Sequence, residues 1–89
     1  MSVRGEYRRL GGELLAALGA AGDASADPRC ASLAAQLERA SDDLAGAAEG
    51  TAALLPGIRA LAPSDTEARR SFDDAYERLE AVCRIILGR

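Results

Sequence analysis

The sequence predicts an all-α protein, an antiparallel helical bundle, on three observations. An apolar ladder of Cys30, Leu33, Leu37, Ala40, Leu44, Ala47, Thr51, Leu54, Ile58 and Leu61 alternates steps of three and four residues, which keeps every rung on one helical face. A second ladder of Ala68, Phe72, Ala75, Leu79, Val82 and Ile86 has the same spacing. Helix punctuation brackets both: Asp27-Pro28 precedes the first ladder and Gly88 follows the second.

The 89 residues make one helical domain, 1–89. Apolar residues are 48% of the chain, but Ala supplies much of that and there is one Phe, two Tyr and no Trp. Small side chains bury little area each, at roughly 25 cal/mol per Å². The core is therefore expected to be long and closely spaced.

The first helix is expected over about residues 3–19, with Val3, Tyr7, Leu10, Leu14 and Ala17 at helical spacing and Leu14, Leu15 and Leu18 carrying most of its apolar face. Gly11 and Gly12 weaken it by about 1 kcal/mol each relative to Ala, and mark either a close backbone approach or a soft spot. Gly19 and Gly22 end it, and a loop leads to Asp27. The same stretch has features of a cleaved secretion signal, with Arg8-Arg9 ahead of an apolar run and Ala24-Ser25-Ala26 as a small-residue site. Glu6 and Glu13 interrupt that pattern and favour a retained helix.

Asp27 as N-cap and Pro28 at the first helical position start the second helix. The unbroken ladder predicts one long central helix over about 28–62, ~52 Å in length, kinked near Pro56 within the segment 50–57. The resulting fold has three helices. The alternative is a reversal near Gly50, which splits the long helix and gives a compact four-helix bundle. Pro63 stops the ladder, Ser64 and Glu67 form a capping-box pattern, and the last helix runs over about 65–87. Gly46/Gly50 and Ala16/Ala20 suggest close antiparallel packing.

A long central helix with two short neighbours leaves an apolar face uncovered, and a homodimer covers it. The expected interface is Leu33, Leu37, Leu44, Leu54, Ile58 and Leu61, with Phe72 and Leu79 opposite. The compact alternative has no such deficit.

Chemistry is sparsely marked. The absence of His removes the usual general base and the commonest metal ligand, and no catalytic, metal or cofactor site is expected. Arg69/Asp73, Arg70/Asp74, Asp74/Arg78 and Glu80/Arg84 stand four apart and read as a self-neutralised solvent face. Glu38, Asp42, Asp43 and Glu49 are less balanced, with Arg39 placed to pair with Asp43. A net charge of −3 argues against a nucleic-acid partner, and Arg4, Arg8 and Arg9 read as a solvated helix face. No apolar run reaches the roughly 18 residues of a membrane span. All basic residues are Arg, and the Ala and Gly load points to a GC-rich bacterial genome.

Cys30 is the candidate reactive thiol, because a helix N-terminus and the adjacent Arg29 both favour a thiolate. It is also the first ladder rung, where a thiol serves as a small apolar group. Cys83 lies beside Val82 and reads as packing. The two cysteines fall too far apart for an intrachain bridge, which fits a cytoplasmic protein.

Size, acidity and helicity are similar to acyl carrier proteins, but neither Ser25 nor Ser64 has the context of that family's phosphopantetheine-bearing serine. Tyr76-x-x-x-Glu80 resembles the export signal of small type VII secretion substrates, whose Trp-x-Gly turn has no counterpart here. The functional expectation is a non-enzymatic helical interaction or assembly module that self-associates and engages another protein. A thiol-based regulator using Cys30 and a small exported helical protein are the alternatives.

Overall fold

The computed structural model describes residues 2–19 and 26–88. Among these residues four helices form in order: α1 (Val3–Gly19), α2 (Pro28–Arg39), α3 (Leu44–Arg59) and α4 (Thr66–Leu87). They pack as a ring in which α1 touches α2, α2 touches α3, α3 touches α4 and α4 returns to α1. The longest dimension is 33 Å, too short for the expected helix over 28–62. The three-helix reading is therefore corrected to the four-helix bundle.

The break also lies elsewhere than expected, at Ala40–Asp43 rather than near Gly50 or Pro56. Ser41, Asp42 and Asp43 carry short polar side chains that compete for nearby backbone groups, which disfavours helix interior and favours turns and caps. The last turn of α2 tightens, with Ser41 N–H donating to the Glu38 carbonyl (3.2 Å) and Asp42 N–H to that of Arg39 (3.0 Å). Asp43 then caps α3 by accepting from Gly46 N–H at 2.9 Å. Ala40 and Leu44 flank this turn at ladder spacing, so the periodicity runs through a point where the chain reverses.

Gly50 and Pro56 both sit inside α3. At Gly50, the side-chain amide of Gln36 occupies the space a Cβ would need, so glycine permits close packing of α2 on α3. Pro56 stands in the last turn of α3, which ends at Arg59. There the missing N–H costs one bond and the fixed φ still fits a helix.

The other helix ends follow local chemistry. Asp27 accepts from Arg29 N–H at 2.8 Å, with Pro28 in the first turn. The cap of α4 is Asp65, which accepts from Ala68 N–H at 3.1 Å; this corrects the expected Ser64 cap by one residue. Asp65 is extended, as an N-cap requires, and its carboxylate accepts more strongly than a hydroxyl. Gly88 closes α4 with φ of +71°, a left-handed conformation that favours glycine.

One core joins all four helices. Tyr7, Leu10, Leu14 and Leu18 from α1 meet Leu33 from α2, Ala47, Leu55 and Ile58 from α3, and Phe72, Leu79 and Cys83 from α4. Leu37, Leu44, Leu54 and Leu61 are half-buried against it. Gly11 lies under Leu37, whose Cδ1 is 2.9 Å from where an alanine Cβ would stand, so it marks a close approach of α1 and α2. Gly12 faces open space.

The largest buried side chain, Tyr7, crosses the bundle from α1 to α3. Its hydroxyl donates to the Ala47 carbonyl at 3.2 Å and shares a hydrogen bond with Thr51 Oγ1. Burial pushes its pKa up, with the Thr51 contact pulling the other way. Two guanidinium groups serve helix ends. Arg4 Nε donates to the Ala40 carbonyl at 3.0 Å, and Arg29 Nη1 donates to the Gly57 carbonyl at 2.7 Å. Each places a cation on the negative end of a neighbouring helix.

Two outcomes follow for stability. Gly12→Ala is expected to raise the urea midpoint, by up to ~1 kcal/mol of helix propensity, while Gly11→Ala displaces Leu37 and lowers it. Equal effects at the two positions would refute the packing of Leu37 on Gly11. In a double-mutant cycle, Tyr7→Phe and Thr51→Val each destabilise, Tyr7→Phe by ~1–3 kcal/mol, and the double variant loses less than the sum because neither partner remains unsatisfied. Strict additivity would show that the two groups are not coupled.

Candidate functional site

The ladder residues expected to form an interface face inward. Leu33 and Ile58 are fully enclosed, and Leu37, Leu44, Leu54 and Leu61 pack against the same core. Closing the bundle within one chain removes the uncovered face from which the homodimer was inferred. Phe72 and Leu79 are likewise interior.

Cys30 is buried near the start of α2. Burial raises its thiol pKa, the Asp27 carboxylate adds to the rise, and Arg29 opposes it. Arg29 is engaged with Asp27, Nε to Oδ1 at 2.9 Å and Nη2 to Oδ2 at 2.9 Å, so its hydrogen bonds go to the carboxylate and its charge acts on the sulfur only through space. Burial and the carboxylate thus outweigh the expected activation, and the thiol stays protonated at neutral pH. Cys83, buried between α3 and α4, is pushed up to about 11 by burial and by Glu80. No disulfide joins the two.

Tyr76, of the Tyr76-x-x-x-Glu80 pattern, is buried against Phe72 with ring centroids 5.8 Å apart. The Arg59 guanidinium covers its ring at 4.7 Å. Glu80 pairs with Arg84 at 3.3 Å. Of the remaining expected pairs on α4, Arg69 with Asp73 and Arg78 with Asp74 form, Asp74 being taken by Arg78 in place of Arg70, and Arg39 pairs with Asp43. In the basic cluster, Arg4 caps α2, and Arg9 bonds Glu6 at 3.1 Å and Glu13 at 3.3 Å.

Among the described residues, no three His, Cys, Asp or Glu side chains converge as a metal-binding group, and no helix is long and apolar enough to cross a membrane.

Concave features are also present among the described residues. An open hollow of about 460 Å³ lies on the α1·α4 seam, lined by Ala16, Ala17, Ala68, Ser71 and Ala75, with Glu13 and Asp74 at its edge. Short side chains on both helices leave the groove unfilled. A crevice of about 220 Å³ lies between α3 and α4.

One convex feature matters as well. Ile85 is 68% exposed, more than any other large apolar side chain among the described residues. Sequence reasoning passed over it because it lies off the inward ladder, beside Ile86. Ser71, Arg78 and Ile85 are each seven apart, and that spacing was the available signal.

No family model matches the chain, and neither a curated protein nor a solved structure is significantly similar to it.

A pH dependence follows from the α2 cap. Arg29, through its side chain and backbone N–H, holds the Asp27 carboxyl at about 2, below the usual carboxylate range. A depressed folded-state pKa gives stability that is complete above the unfolded value near ~4 and is lost as pH falls through the folded value. Asp27→Asn keeps the cap but removes this charge. The variant is expected to melt below wild type at pH 6, with the gap closing as pH falls through about 2. A gap that stays constant with pH would sink this account.

Proposed function

We propose that the protein is a non-enzymatic helical interaction module that self-associates through the outer stripe of α4 and the α1·α4 hollow. The observation that carries this reading is the exposed Ile85, set two heptads from the small-residue hollow around Ser71. Seven residues return a helix to within ~20° of the same face. Ile85 and Ser71, two heptads apart, are therefore within ~40° of each other on one stripe, ~21 Å apart along the axis.

A two-fold axis near Arg78, with two α4 helices antiparallel, puts the Ile85 of each copy into the hollow of the other. Knob and hole then come from one surface, as an isologous contact requires. Arg78 stays paired with Asp74 of its own chain, so the centre of the contact carries no lone charge. Val3, at the start of α1, is the other exposed large apolar side chain among the described residues.

Magnitude sets the affinity. Burying two isoleucines contributes ~3–6 kcal/mol, which barely offsets an association cost of at least ~4 kcal/mol. Net of that cost the two isoleucines leave at most ~2 kcal/mol, so a millimolar dissociation constant, about −4 kcal/mol, draws the rest from the surrounding contact, and the dimer is weak.

Sedimentation equilibrium over a wide concentration range tests this. The 9.2 kDa chain is expected to approach twice that mass at high concentration, while Ile85→Glu stays at 9.2 kDa and melts as wild type does. A wild-type chain that remains monomeric at millimolar concentration would refute self-association. A dimer that survives Ile85→Glu would place the interface elsewhere.

A further inference from the structure

We infer that the protein has a second, exchanged state with another copy of itself, in which α2 and α3 join at Asp43 and each α1–α2 half packs on the other copy's α3–α4 half. Each end of this dimer is the same four-helix ring as the monomer. The inference rests on none of the α4-stripe argument.

The phase of the core residues permits the exchange. Placed on one continuous helix, Cys30, Leu33 and Ala40 of α2 and Ala47, Thr51 and Ile58 of α3 fall within a stripe of ~100°. Joining the helices therefore keeps both buried faces on one side. The α2 of one copy then lies on the α3 of the other through the same side chains that meet within one chain.

The hinge is poised for it. The turn Ala40–Asp43 contains neither glycine nor proline, and no residue in it has a positive φ. Asp43 N–H donates to the Arg39 carbonyl, four residues back, at 2.9 Å, so the chain follows a helical path up to Asp43. Asp43 leaves that path at φ −145° and ψ 83°. The Ala47 N–H to Asp43 carbonyl bond, 3.0 Å, resumes the four-residue pattern. Rotation centred on Asp43 joins residues 28–59 into one helix of ~48 Å.

Two side-chain bonds hold the reversed form. Gly46 N–H donates to the Asp43 carboxylate at 2.9 Å, and Arg4 Nε donates to the Ala40 carbonyl at 3.0 Å. A continuous helix gives the same groups backbone partners, the Asp42 carbonyl for Gly46 N–H and the Leu44 N–H for the Ala40 carbonyl. The Arg39–Asp43 pair, four residues apart, suits either form. A cap and one arginine bond are thus set against a turn of helix. The halves meet along α2·α3 and α4·α1, so exchange opens both seams and is slow.

Refolding tests this in the Ile85→Glu chain, where the α4 contact is removed, so that either reading can fail without the other. The chain is unfolded in urea, refolded at millimolar concentration, diluted and separated by size-exclusion chromatography. A species of twice 9.2 kDa that persists after dilution is expected. In a dimer refolded from mixed ¹³C-labelled and unlabelled chains, Tyr7 and Thr51 belong to different copies and give an isotope-filtered NOE. Adding Asp43→Ala removes the cap and favours helix, and raises the dimer-to-monomer ratio roughly tenfold or more across the two hinges. Adding Asp43→Gly keeps most of the capping preference but disfavours a helix interior, and lowers the ratio below that of the parent. Both remove the same charge from the same exposed position, so destabilisation alone would move them alike. The inference is overturned if parent and Asp43→Ala both refold only to monomer, if the dimer gives no interchain Tyr7–Thr51 NOE, or if Asp43→Gly dimerises as readily as Asp43→Ala.

Discussion

The bond from Gly46 N–H to the Asp43 carboxylate, 2.9 Å long, decides the topology. The apolar ladder from Cys30 to Leu61 would make one long helix if nothing interrupted it. Such a helix has no way to bury its face against two short neighbours. Asp43 supplies the interruption. Its side chain satisfies one orphan donor of a new helix, and Ser41 and Asp42 satisfy their own backbone in the tight turn before it. Once α2 and α3 lie side by side, the ladder becomes two faces of one core, and α1 and α4 have a surface to close upon.

Arginine holds the ends of this arrangement. Arg29 reaches from the Asp27 cap of α2 to the Gly57 carbonyl of α3, tying the opening of one helix to the close of the next. Arg4 does the same from α1 to the end of α2. A planar guanidinium donates in several fixed directions at once, which a lysine ammonium on a flexible stem does less well. In a core built largely from alanine and leucine, such directional bonds and the Tyr7–Thr51 contact help to specify one packing among several of similar area.

Much of the fold was legible in the sequence, and the failures have physical causes. Periodicity identified most of the buried faces, since Leu33, Ala47, Ile58, Phe72 and Leu79 are all interior, but Leu55 and Cys83 are buried where the ladder placed Leu54 and Val82, which are only half-buried. It carries no information on direction, so a turn that preserves the three-four spacing is invisible to it. The turn was written in Ser41-Asp42-Asp43, but Gly50 and Pro56 drew attention because glycine and proline are stronger helix breakers. Both proved tolerable in place: Gly50 because Gln36 needs the space, Pro56 because only one turn follows it. The surfaces were harder to see. Ile85 is a single apolar residue in a charged face, and the hollow opposite Ala16 and Ala17 is an absence of side chains on two helices distant in sequence. At Cys30, proximity of Arg29 in sequence did not say that the guanidinium would bond the Asp27 carboxylate, nor that burial would raise the thiol pKa.

The ring order has a consequence for how the protein comes apart. Each helix borders two others, and α1, first in the chain, is sealed against α4, last in the chain. No helix is an edge. Detaching any one of them strips two seams together, and removing α1 also strands the Thr51 hydroxyl inside α3. Partial opening by peeling a terminal helix is therefore penalised twice over. The molecule favours all-or-none cooperative unfolding, with little room for populated intermediates.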